Sequence, residues 1–375
     1  MSVLAYLVDP VVALGMLVVV PAGLRLVEPA VPAGALATSR ASATSGAAAA
    51  SGPVGAVAGR RATTGAGASR EAAALRTVAR WWPLVAVPGA AAPWLPRGAP
   101  ATALAAVYAL GTLALVALAA GRAVRRVRTR SLGPAEIAVL TALVSPAVAG
   151  TALVAERSGY RLWGFDLDIL ALTVPHFHFA GFTAALVAGL VCRAVAPGPR
   201  ARFAAYSVPV GTLVVLAGYF TGDWLELVGA LVLTAGMWTV ALLTWRELRD
   251  SGPDRFTRAL LGVSAAVLPV TMVLALSWAL GEATGLPHLS LTWTAATHGL
   301  GNALGFALCS VLAWHRLRRD RAPHGDRIPA PDALRPPGPA RRPEDTAGRG
   351  RGGHPAPTAR PAHAPHTART EETTA

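Results

Sequence analysis

Two histidines one residue apart, His176 and His178, sit inside a stretch that is otherwise apolar, Leu170 to Arg193. Hydrocarbon solvates an imidazole poorly, so ionisable residues at such positions face a bundle interior or a wet cavity and find partners there. The partner on offer lies in a second apolar stretch, Leu291 to Trp314, where His298 precedes Asn302 by about one helical turn. Counted from Ile169 and from Leu291, His176 and His298 are equally far along, each ~10 Å below the same end of a bundle. On a regular helix His176 shares a face with Thr173, Ala180 and Thr183, while His178 points ~200° away with Val174, Gly181 and Phe182. Only one of the pair can then face His298, unless Pro175 disturbs the helix by removing a hydrogen bond and displacing the carbonyl of Ala171. In the second stretch Thr294, His298, Asn302 and Gly305 or Phe306 share a stripe, and Gly301 with Gly305 permits close helix contact. A polar seam between the two helices follows.

Three chemistries compete for that seam. The histidines, Asn302, Thr173 and Thr294 can simply hydrogen-bond between helices, each contact worth ~0.6–2 kcal/mol. His176, His178 and His298 can form a three-imidazole set for zinc or another transition metal. The same side chains can instead handle a proton or a solute in a transporter, since an imidazole changes charge near neutral pH. Asp223 and Glu226, bracketing Trp224 in a short turn, are placed on the outer rim of the site. Glu156, Asp166, Asp168 and His288 read as solvated residues near span ends, and Glu136 as charge complementing a helix dipole. The sequence holds no Gly-rich phosphate loop with Lys, no Gly-x-Ser-x-Gly, no His-Glu-x-x-His and no Cys-x-x-Cys. Cys192 and Cys309 lie beside basic loops, where a reducing compartment disfavours a disulfide. Cys309 is also ~16 Å along the helix from His298, too far to share a metal with it.

The elements that must carry these residues are membrane helices. Of the 375 residues 53% are hydrophobic and only 14% charged, and stretches near twenty residues without charge are long enough to cross a bilayer core of ~30 Å. Residues 1–24 give a first span, with a signal peptide set aside because Arg25 follows the apolar run instead of preceding it. Residues 25–75 are an Ala/Gly/Ser-rich insert expected to be flexible and cytoplasmic. Residues 76–315 form the transmembrane core, and 316–375 an Arg/Pro-rich cytoplasmic tail expected to be disordered. Spans fall near 101–121, 135–155, 169–192, 203–221, 226–245, 259–280 and 291–314. With the first span and the Trp/Pro-rich stretch 76–96, which reads as a kinked crossing or a re-entrant piece, the count is about nine, with eight or seven as alternatives. Arg-rich loops alternate with Arg-poor, acidic ones, which puts the N-terminus outside and the C-terminus inside. The net charge of +14 comes from Arg alone, with no Lys. It sits in loops and tail, where anionic lipid on the cytoplasmic face, and not nucleic acid, is the expected partner.

The segment HFHFAGF, followed near the last span by HGLGNALGF, resembles the YndJ-like family of bacterial integral membrane proteins. The resemblance covers mainly residues 135–314. It implies a membrane protein labelled a transporter, and it points to His176, His178, Gly181, Phe182, His298, Gly299, Asn302 and Gly305. The expectation is an all-α, polytopic helix bundle in the inner (plasma) membrane, with a His/Asn site in the outer half of the bilayer. A transporter of a small solute or ion leads; a His-ligated, metal-dependent membrane enzyme and a structural or accessory membrane protein are the alternatives.

Overall fold

Apolar spans with no polar edge to pair must satisfy their backbone internally, and the computed structural model, which describes residues 3–27 and 69–321, is all-helical. Among the described residues eight helices are long and apolar enough to cross a membrane. They are α1 (Leu7–Leu24), α4 (Ala99–Arg128), α5 (Pro134–Ser158), α6 (Leu167–Ala194), α7 (Pro199–Thr221), α8 (Asp223–Ser251), α9 (Arg255–Thr284) and α10 (Leu291–Asp320). Between α1 and α4 lie two shorter helices, α2 (69–81) and α3 (Pro83–Ala91).

The stretch 76–96 is thus not one helix: the chain turns at Trp82, directly before Pro83, and α3 then runs on through Pro88. Glu71 on α2 pairs with Arg122 and Arg125 near the end of α4, while Gly89 on α3 abuts Tyr108. The kinked pair therefore runs antiparallel along α4 and does not turn back on itself. Helix α2 also begins at residue 69, inside the segment 25–75 that composition marks as flexible. Glu71 and Leu75, 8% and 3% exposed, supply the buried face that composition does not reveal. The remainder of the Ala-rich insert, 28–68, and the tail from 322 lie outside the described residues.

Helix α6 is the centre of the bundle. Its apolar window is 78% buried, against 28% for α4 and for α10, whose large apolar side chains, Leu110 and Leu113 among them, stay exposed, as lipid-facing positions do. The tightest packing is the α7–α8 hairpin, turned by Gly222 at φ +137°, a value few other residues adopt. A Cβ on Gly218 would stand 2.4 Å from the Glu226 nitrogen. That close approach fixes the first turn of α8 and with it Glu226.

Buried ion pairs tie the Arg-rich end. Arg122, 1% exposed, bridges Glu71 and Glu136, and Glu136 also accepts from Arg193 at 2.6 Å and pairs with Arg126 at 3.2 Å. Glu136 is therefore the hub of an ion network and more than a helix-dipole charge. Carbonyls that α1 leaves unpaired at its end are capped from α10, Ala22 by His315 at 2.9 Å and Arg25 by Arg318 at 2.9 Å. Asp254 caps α9 through the Thr257 N–H at 2.8 Å and also accepts from Arg316 at 2.7 Å. The guanidinium holds its carboxyl down at about 2 and binds the start of α9 to the end of α10.

Candidate functional site

His176 and His178 diverge, as their spacing requires. Pro175 is followed by a π-helical stretch, Phe177–Thr183, in which the Thr183 hydroxyl donates to the His178 carbonyl at 2.9 Å. Wide turns of this kind recur at functional sites. Two more, Ala295–Gly299 and Gly301–Leu308, carry His298 and Asn302 on α10, and another, Gly15–Val19, lies in α1. The π stretches of α1, α6 and α10 touch one another at the middle of the bundle.

On one side of α6, Thr173, His176 and Ala180 line a cavity of about 260 Å³ enclosed by α1, α6, α7, α8, α9 and α10. Thr294, His298, Asn302 and Phe306 line it from α10. The stripe expected on α10 is present, whereas Thr183 drops out of the α6 face because the π turn rotates it into the core. Gly305 packs against Val267 of α9 instead.

Within the cavity the polar groups fall into two sets. One set is satisfied: the Thr271 carbonyl accepts from His298 Nδ1–H at 2.7 Å, the Thr271 hydroxyl donates to Asn302 Oδ1 at 2.8 Å, and Thr173 donates to the Ile169 carbonyl. The seam expected between α6 and α10 is therefore bonded between α9 and α10, with Thr271 as the residue that sequence spacing missed. The other set is open. His176 makes no hydrogen bond among the described residues and is exposed to the cavity. The Thr294 hydroxyl is buried without a partner. Glu226, on the first turn of α8, lines the cavity rather than capping its rim and has no ion-pair partner among the described residues, whereas Asp223 is exposed outside it.

The walls are otherwise largely apolar, with Tyr219, Met237, Met272 and Trp278 among them, and none of the described arginines lines the cavity. A second hollow of about 360 Å³, lined by Arg97, Asp166 and Asp168, shares Ile169 and Leu291 with it and lies toward its mouth.

On the opposite side of α6, His178 is fully buried. Its Nε2 and the Tyr108 hydroxyl of α4 are 2.5 Å apart, and Tyr108 meets the Trp82 ring edge-on at 5.9 Å. Trp82 donates to the Met16 carbonyl of α1 at 2.9 Å. A Cβ on Gly15 would stand 2.9 Å from the His178 Cβ. These contacts close a ring through α1, the α2–α3 kink, α4 and α6. The three-histidine ligand set expected from sequence is not assembled, because the offset between His176 and His178 sends the latter to Tyr108. Among the described residues no three His, Cys, Asp or Glu side chains are placed to share a metal ion.

Residues 61–306 match the family model described as YndJ-like protein. A protein of Bacillus subtilis (strain 168) named uncharacterized membrane protein YndJ is 24% identical over 184 residues, which cover 48% of this chain. Those residues span 32% of that relative, about a third of its length. No solved structure matches the chain.

Proposed function

The chain belongs to the YndJ-like family and is a multi-pass membrane protein, and on that premise we propose that it binds a small solute in the six-helix cavity and carries it across the membrane. The observation behind this reading is the open set: His176, Thr294 and Glu226, on three different helices, converge on one cavity without protein partners. Of these the Thr294 hydroxyl is buried, and a buried polar group left unpaired costs about 1–3 kcal/mol, a cost that a bound solute or water offsets. A volume of about 260 Å³ is just below the ~300–1,000 Å³ of sites for drug-sized ligands, so the solute is small. By the positive-inside rule the cavity mouth faces out of the cell and the Glu136 network faces the cytoplasm of a bacterial inner membrane. The π turns of α1, α6 and α10 supply the adjustable element that alternating access needs.

The test is a panel of small cationic, neutral and anionic solutes screened for ligand-dependent thermal stabilisation of the purified chain, repeated on His176→Ala. At least one solute stabilises the wild type and not the variant, and the same solute is taken up by liposomes holding the protein. A panel in which every solute acts equally on both proteins removes the cavity as the site.

A further inference from the structure

The chemistry of the cavity wall discriminates among solutes. An anion would meet no Arg there and would face Glu226. A bare inorganic cation would exchange its water for walls that are mostly Leu, Ala, Val, Phe and Met, which offer no oxygens to replace a hydration shell. A polar neutral solute would give the Glu226 carboxyl no counter-charge, whereas a cation would. A cation with an apolar body matches both the acid and the apolar wall.

The surroundings agree. Asp223 lies near enough to add negative potential at Glu226, as does Glu282, which also meets His288 at 3.2 Å; Asp168 lines the adjoining hollow together with Asp166, which pairs with Arg161, and Arg97, which pairs with Glu156 at 2.9 Å. Acidic approaches of this kind raise the local concentration of cations. Tyr219 and Trp278 share the lining with Glu226 and bring to it the aromatic ring types on which ammonium groups rest.

We infer that the solute is a small amphipathic organic cation, an amine or quaternary ammonium, with its charged head at Glu226, Tyr219 and Trp278 and its apolar body toward Met237 and Met272. This inference rests on the reading that the cavity holds a solute at all.

The experiment is calorimetric titration of the full chain in lipid nanodiscs with three cations: tetramethylammonium, choline and butylammonium. Each is paired with the uncharged analogue in which carbon replaces nitrogen, and pivalate serves as the anion. In the wild type at least one cation binds more tightly than its uncharged analogue. Glu226→Gln, with an unchanged unfolding transition, weakens that cation about tenfold or more while sparing the analogue. The wild-type comparison needs no variant, so it stands even if Glu226→Gln fails to fold.

If no cation outbinds its analogue while the analogue or pivalate binds in a His176-dependent way, the cation is wrong and the solute cavity survives. Absence of binding by every probe, with no change when Ala180→Trp fills the space, removes both readings. A cation preference that persists in Glu226→Gln overturns the assignment of Glu226 as its anchor.

Discussion

His176 and His178 are two residues apart in sequence and have opposite surroundings. His176 opens into a cavity with its ring nitrogens unused; His178 is sealed, bonded to Tyr108 and pressed against Gly15. The difference follows from helix geometry: a step of two residues turns ~200°, so a helix at the centre of a bundle presents one ring to each of two neighbouring sets of helices. Chemistry and architecture are thereby separated on a single turn. The side that opens on the cavity leaves its polar groups accessible, and the sealed side, where His178 Nδ1 is buried without a partner among the described residues, holds α1, α4 and α6 in register through the His178–Tyr108 and Trp82–Met16 contacts.

Substitutions on the sealed side test this division by stability, and the largest effect is expected at Gly15. Gly15→Leu places atoms where the root of the His178 side chain already stands, and it should lower the unfolding free energy by about 3 kcal/mol, measured by denaturant titration in detergent. Tyr108→Phe removes one buried interhelical hydrogen bond and keeps the ring. The loss should be about 1 kcal/mol by the same titration, with solute binding retained. On the open side His176→Ala breaks no hydrogen bond and vacates no packed volume, so its stability should stay within about 0.5 kcal/mol of the wild type while solute binding is lost. A large stability loss in His176→Ala, or a loss of binding in Tyr108→Phe that leaves the fold intact, would merge the two sides.

Much of this arrangement was legible in the sequence because it depends on period and charge. The spacing of His176 and His178 foretold that one would turn away. The stripe Thr294, His298, Asn302, Phe306 was readable because polar residues on an apolar span share a face only at helical intervals. What could not be read was partner choice. Thr271 and Tyr108 are polar side chains in the largely apolar α9 and α4, and nothing local says which neighbour each will meet; a lone phenol in an apolar span was the available signal for Tyr108. Glu226 looked like a rim residue because it starts a helix; its turn packs against Gly218 and its side chain joins the cavity lining. The helix from 69 was hidden by an Ala-rich composition, its reason being Glu71, whose arginine partners lie far along the chain.

The most direct test of the division needs no knowledge of the solute. In a background with Cys192 and Cys309 replaced by Ser, His176→Cys and His178→Cys are each treated from outside intact cells with a small, charged, membrane-impermeant methanethiosulfonate reagent. Labelling at position 176 and none at position 178 in the same time is the predicted result, and it also places the cavity mouth on the outer face. Equal labelling at both positions, or labelling at 178 alone, would contradict the assignment of the open side to solute and the sealed side to structure.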